Sequence, residues 1–316
     1  MEETNKSVVN DYFTSAMELT ESGDPHVPTR YILPPSQRPM LGPSIGTSTI
    51  NLPVIDLSFL HDPLLRLCVI HEIELACKGF GFFQVINHGI SSAVVKDAQD
   101  SATRFFDLPA DEKMHLVSDN FQEPVREKVG KYAEATHVLH KQLIEAISES
   151  LGLEKNYLQE EIEEGSQVMA VNCYPACPEP EIALGMPPHS DYGSLTILLQ
   201  SSEGLQIKDC NNNWVCVPYI EGALIVQLGD QVEVMSNGIY KSVVHRVTVN
   251  KDYKRLSFAS LHSLPMHKKI SPATQLVNEN KPAAYGEFSF NDFLDYISRN
   301  DITQKRFIDT LRKKNL

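Results

Sequence analysis

Three residues stand out because their side chains bind metals and their spacing lets them meet. His189 and Asp191 lie in Met186-Pro-Pro-His-Ser-Asp-Tyr-Gly193, and His245 lies in Lys241-Ser-Val-Val-His-Arg-Val247. On a strand, side chains i and i+2 share a face, so this imidazole and carboxylate can converge on one ion. The flank favours strand, since Ser194-Leu-Thr-Ile-Leu-Leu-Gln200 is apolar and β-branched and follows Gly193. His245 comes 54 residues after Asp191 in another β-rich run, a separation that a barrel closes. Two imidazoles and one carboxylate leave the remaining positions of an ion open. That donor set suits a ferrous ion that must admit a chelating molecule and O₂. A structural zinc site would more often be closed by four protein ligands.

Arg255 and Ser257 repeat the two-residue spacing ten residues after His245. A guanidinium fork and a hydroxyl on one strand face grip a carboxylate, the guanidinium through two parallel hydrogen bonds. The turn Asn250-Lys-Asp-Tyr253 is expected to join the two segments as neighbouring strands. Tyr174, in Asn172-Cys-Tyr-Pro175, is a candidate further donor to that carboxylate. Taken singly, these residues carry little: His-x-Asp pairs are common, an arginine on a strand is ordinarily solvated, and a tyrosine ordinarily fills core. The combination is what points to a metal beside an anchored acid.

Other candidates read as structural. His88, between a strand and Gly89, fits a hydrogen-bonding turn role. His137 and His140 are spaced i, i+3 on a helix without the acidic residue of a metalloprotease helix, so they are expected on its surface. Cys173 and Cys177 flank a Pro-rich turn and lack a second pair.

The elements that position these groups follow from patterning. Residues 1–50 carry six prolines from Pro25 to Pro43 and read as an arm with a short helix near 8–22. Leu52–Asp56 and Phe82–Ile86 read as strands, 63–78 and 91–106 as helices, the second capped by Ser91. A helix over 127–151, with a stripe of Val138, Leu139, Leu143, Ile147 and Leu151, is expected to back a barrel. Short strands with turns then recur from Val168 to Leu264, and helices return at 289–297 and 303–314. This gives an arm (1–50), an N-terminal region (51–126), backing helices (127–165), a β core (166–285) and C-terminal helices (286–316).

Composition narrows the function. The 316 residues include 28 basic and 41 acidic side chains, a net charge of −13, which repels nucleic-acid phosphates. No apolar run has membrane-spanning length, and the start lacks the basic and apolar regions of a secretory signal. With six cysteines and no signal, reduced thiols and a cytoplasmic location are expected.

Across the chain from about residue 50, the sequence resembles the plant iron(II)- and 2-oxoglutarate-dependent dioxygenases related to isopenicillin N synthase. The resemblance rests on Leu52-Pro-Val-Ile-Asp56, Gly79-Phe-Gly-Phe-Phe-Gln-Val-Ile-Asn-His-Gly89, Asn172-Cys-Tyr-Pro-Ala-Cys-Pro178, His189-Ser-Asp191, Gly229-Asp-Gln231, His245-Arg-Val247 and Arg255-Leu-Ser257. It implies a mainly β fold with flanking helices and a double-stranded β-helix (jelly-roll) core. It implies His189, Asp191 and His245 as Fe(II) ligands and Arg255, Ser257 and Tyr174 as 2-oxoglutarate contacts. Ascorbate would be an auxiliary reductant. The implied reaction is hydroxylation or desaturation of a small aromatic or phenolic metabolite, flavonoid-like, using O₂ and yielding succinate and CO₂. Phe258, Phe288 and Phe290 are candidate pocket walls, or plain core. One departure stands out: only ten residues, Val117–Arg126, separate Leu116 from Glu127, where relatives carry a longer segment that helps wall the substrate pocket. The alternative is therefore an impaired isoform that only binds a small molecule.

Overall fold

The computed structural model describes residues 16–39, 50–109, 112–113, 124–300 and 305–313. Two sheets face each other. The larger has six strands in the order β1 (Val54–Asp56), β2 (Phe82–Ile86), β8 (Leu224–Leu228), β5 (Leu195–Gln200), β10 (Arg255–Ser263) and β3 (Ser166–Tyr174). The smaller runs β4 (Met186–His189), β9 (His245–Val247), β6 (Leu205–Lys208) and β7 (Trp214–Cys216). All pairings are antiparallel except β1 with β2. This is the expected double-stranded β-helix.

Alternation along the strands divides the core. Ile197, Leu199, Val226 and Phe258 point outward from the large sheet into one cluster with the helices. Leu198, Ile225, Leu205, Ile207 and Val247 point inward and close the space between the sheets. Strand β5 is therefore buried on both faces, which explains its unbroken apolar run. Helix α2 (Arg66–Gly79) buries Val69, Ile70, Ile73, Ala76 and Cys77, a stripe at helical spacing. Ser91 accepts from the Ala93 amide and starts α3 (Ser92–Phe106).

Helix α4 (Pro124–Ser150) packs on β5 and β10 from outside the barrel. Leu139, Leu143 and Ile147 are buried as expected, but Val138 is 57% exposed, because it projects from the far side of the helix. His140 was expected on the surface and is instead 3% exposed, one helical step from Leu139 and facing the sheet. Phe258, a candidate pocket wall, packs edge-on against Tyr132 of α4, 5.9 Å between centroids, and faces away from the barrel interior. Phe288 and Phe290 join Tyr192, Phe293 and Phe307 in an aromatic group against α7 (Phe290–Arg299). The short segment at 117–126 lies largely outside the described residues, as does most of the helix expected at 8–22, of which Ala16–Glu21 is helical.

The connection from β9 to β10 departs from expectation. His245 and Arg255 are not on neighbouring strands; β9 pairs with β4 and β6, and β10 with β3 and β5. The Asn250 side chain accepts from the amides of Asp252 and Tyr253 and turns the chain across from one sheet to the other. A tight turn predicts a hairpin only when both flanking strands lie in one sheet.

The helix–sheet packing makes a contrast measurable by denaturant unfolding. Leu143→Ala, at a fully buried position, is expected to cost about 2–5 kcal/mol. Val138→Ala, on the exposed side, is expected to change stability by no more than about 0.5 kcal/mol.

Candidate metal centre

The pairing of β4 with β9 sets His189 directly opposite His245. Their rings lie 4.3 Å apart between centroids. Asp191 is two residues past His189 but has left the strand, so its carboxylate approaches from the loop ahead of β5. Its Oδ1 lies 3.6 Å from Nε2 of His189 and 3.6 Å from Nε2 of His245. One donor atom from each of the three residues falls within 4.8 Å of the others.

Hydrogen bonds direct the lone pairs of this site. His189 Nδ1 donates to the Pro187 carbonyl at 2.8 Å, and His245 Nδ1 donates to the Val243 carbonyl at 3.3 Å. A carbonyl only accepts, so each Nδ1 carries a proton, and in the neutral ring each Nε2 would present its lone pair on the side of Asp191. Asp191 Oδ2 accepts from the Thr196 hydroxyl, which leaves Oδ1 for the centre. Asp191 and His245 are buried, at 8% and 6% exposure, and His189 is partly open. Burial pushes His245 below the usual imidazole range, while Asp191 opposes the shift. The edge of Phe82 packs on His245 with centroids 5.6 Å apart. Two imidazoles and a carboxylate whose donor atoms converge could hold Fe(II).

The second part of the site lies on the large sheet. Strand β10 pairs Arg255 with Tyr174 and Ser257 with both Asn172 and Gln200. The Arg255 guanidinium is 2% exposed. Its Nη2 donates to Gln200 Oε1 at 2.8 Å and its Nε to the Ser202 carbonyl at 3.1 Å. Its Nη1 is buried and has no partner among the described residues. Burial lowers the Arg255 pKa to about 10, with Tyr174 and Tyr253 opposing, so the group stays cationic near neutrality. A buried cation with no carboxylate partner and one idle donor is incomplete without an anion. The residues present thus fit the far carboxylate of a dicarboxylate.

Tyr174 lies beneath the guanidinium, 5.5 Å from its carbon to the ring centroid, and interacts with Ser257. Tyr174 also joins Met186 and Val247, the neighbours of the two imidazoles, in the inner cluster. Two glycines permit this packing. A Cβ at Gly185 would stand 2.6 Å from the Tyr174 ring, and one at Gly204, where φ is +138°, would stand 3.0 Å from the Arg255 side chain.

The six residues singled out from the sequence thus form two groups, His189 with Asp191 and His245, and Arg255 with Ser257 and Tyr174. Sequence reasoning missed Thr196, Gln200 and the two glycines. Thr196 and Gln200 carry no spacing signal, because their roles come from pairing across the sheet. His88 is where the turn reading put it, accepting from the Ile90 amide through Nδ1 at 3.2 Å and donating to the Gly222 carbonyl.

Comparison with known proteins identifies the family. A family model described as the 2OG-Fe(II) oxygenase superfamily matches residues 165–263, and one described as non-haem dioxygenase in morphine synthesis N-terminal matches 52–175. Flavanone 3-dioxygenase 3 of Oryza sativa subsp. japonica is 40% identical over 303 residues, covering 83% of this chain and 93% of its own. Jasmonate-induced oxygenase 4 of Arabidopsis thaliana is 32% identical, covering 94% and 96%. A crystal structure of JOX2 in complex with 2OG, Fe and JA superposes with a TM-score of 0.82 at 31% identity, covering 95% of this chain and 98% of that one. Because 83% of 316 residues is about 262, some 40 of the 303 positions aligned with the rice protein have no counterpart here. With its fold, its His-x-Asp…His cluster and these relatives, the chain belongs to the 2OG-Fe(II) oxygenase superfamily, enzymes dependent on iron(II) and 2-oxoglutarate.

Proposed function

We propose that this enzyme hydroxylates or desaturates a small aromatic metabolite of the flavonoid or phenolic class. In this reading His189, Asp191 and His245 hold the iron, and Arg255, Ser257 and Tyr174 hold the far carboxylate of 2-oxoglutarate. The observations that carry the assignment are the pair of oriented imidazoles facing Asp191 Oδ1 on one sheet side and the idle Nη1 of Arg255 on the large sheet. The flavonoid class is supported by the 40% identity to a rice flavanone 3-dioxygenase. The six free cysteines support a reducing compartment, the cytoplasm. Among the described residues, no helix is long and apolar enough to cross a membrane.

Iron and 2-oxoglutarate supply the oxidative chemistry when bound, with succinate and CO₂ as coproducts. The chain supplies geometry. His189 and His245 donate Nε2 lone pairs from one edge of the cavity. Thr196 holds Asp191 so that a single oxygen faces the centre. Arg255 orients the cosubstrate from the opposite sheet, its own fork held by Gln200 and the Ser202 carbonyl. Phe82 and the inner apolar cluster exclude water around these groups.

The unmatched positions bear on the substrate. We place them at 117–126, where the sequence resemblance locates the short segment. A lost wall leaves the iron side open to solvent, which weakens substrate binding and lets 2-oxoglutarate decay without product.

Four measurements test this. Anaerobic addition of Fe(II) and then 2-oxoglutarate should give the visible charge-transfer band of an iron-bound keto acid. The band should vanish in His245→Ala and fade as pH falls, because imidazole must be neutral to ligate. Arg255→Ala should weaken 2-oxoglutarate binding at least about 30-fold, since truncating one partner of a buried charge pair costs about 2–5 kcal/mol. A flavanone and phenolic panel should raise succinate production. Restoring the rice relative's residues between Leu116 and Glu127 should raise the ratio of hydroxylated product to succinate. A band without any substrate-dependent succinate would favour the binding-protein reading.

A further inference from the structure

A second group of imidazoles lies outside the barrel, in the seam between α4 and the large sheet. His137 and His140 are one turn apart on α4, and His262 is on β10. One ring nitrogen from each falls within 4.8 Å of the others. The rings of His140 and His262 stack, 4.1 Å apart with 3° between planes, and His137 lies 6.0 Å from His262. His140 and His262 are buried, at 3% and 1% exposure, while His137 is partly open.

The surrounding hydrogen bonds assign a proton. Ser194 Oγ donates to the His262 carbonyl at 3.0 Å, which uses its one hydrogen. Its 3.2 Å contact with His140 Nε2 therefore has the imidazole as donor. Neutral His140 then carries a lone pair on Nδ1, and this buried atom has no partner among the described residues. His262 Nε2 lies 2.9 Å from Ser260 Oγ, which accepts from Gln167 Nε2 at 2.8 Å. Outer hydrogen bonds of this kind orient metal-binding imidazoles. Burial keeps the rings uncharged near neutrality: it pushes His262 down to about 3 and His140 well below the usual range, and it lowers His137, with Lys141 adding to the last two shifts. Uncharged imidazole is the ligating form.

We propose that His137, His140 and His262 form a second metal site, for a borderline divalent ion of the zinc class, that fastens α4 to β10. An all-imidazole set selects zinc, nickel or copper over magnesium or calcium. Zn–N bonds of about 2.0–2.1 Å in a tetrahedron place ring nitrogens roughly 3.4 Å apart, so the rings must turn and draw together by about an ångström. His137, partly open and on the helix surface, has the freedom to swing in, while the stacked His140 and His262, whose lone pairs lie in parallel planes, must tilt out of their stack to share the ion. With no thiolate and with Lys141 nearby, affinity falls below that of cysteine-rich zinc sites. The site is independent of the catalytic assignment.

The test uses full-length apoprotein carrying His189→Ala and Asp191→Ala, which disables the first site. Equilibrium dialysis against Zn²⁺, with bound metal counted by mass spectrometry, should find one zinc per chain. Adding His137→Ala should raise the zinc Kd at least tenfold, and adding His262→Gln should do the same. Zinc should raise the Tm of the doubly substituted background by several degrees and leave the His137→Ala version unmoved. His137 is open enough that its truncation leaves folding intact, which circular dichroism checks. No zinc in the background protein, or zinc held equally well without His137 and His262, would overturn the proposal.

Discussion

A buried carboxylate facing the Nε2 atoms of two imidazoles is the constraint around which the barrel is arranged. Asp191 is removed from water and compensated by one hydroxyl, Thr196, on its outer oxygen. Its inner oxygen faces the Nε2 atoms of both histidines, whose Nδ1 protons go to carbonyls. Such an arrangement is unfavourable by itself, because a buried charge needs a partner. The fold holds it through backbone pairing: β4 and β9 set the two histidines opposite each other, and the Asp230 amide donates to the Asp191 carbonyl, tying the loop down. A cation bound between these three groups converts the unfavourable term into a favourable one. Structural economy and metal affinity therefore have a common origin.

The same logic governs the opposite wall with the charges reversed. Arg255 is a buried cation whose neighbours are an amide oxygen, a carbonyl and an aromatic face, none of them anionic. The protein supplies enough polar contact to hold the guanidinium in place and leaves one donor over. An incoming dicarboxylate with a metal-chelating end meets a deficit at each end of its length. Recognition then depends on the distance between the two deficits as much as on either alone.

Much of this could be read from residue order. Period-two spacing placed Arg255 with Ser257 on one strand, whereas Asp191 meets His189 from the loop after β4 and not along a strand face; helical spacing gave α2, α3 and the core of α4. What could not be read depends on which strand lies beside which. Gln200 and Thr196 act through cross-strand neighbours, and register leaves no local trace in a strand buried on both faces. His140 shows the same limit on a helix: a polar residue flanked by apolar ones looks solvent-facing until the partner surface proves polar too. Here that surface is Ser194, Ser260, Gln167 and His262, a hydrophilic strip in an otherwise apolar seam. Phe258 errs the other way, because an aromatic next to Ser257 necessarily points to the opposite face of β10.

The crossing from β9 to β10 carries a consequence of its own. Only residues 248–254, bent by Asn250, separate the strand of His245 on one wall from Arg255 on the other, the residues we propose as iron ligand and carboxylate anchor. This short strap acts as a gauge block for the cavity. Lengthening or shortening it would alter the gap that a bridging molecule must span while leaving each wall's own hydrogen bonds intact. On the proposed assignment, this loop's length would then help to set the length of cosubstrate that fits. A chain of this architecture could retune its choice of acid by editing that loop alone.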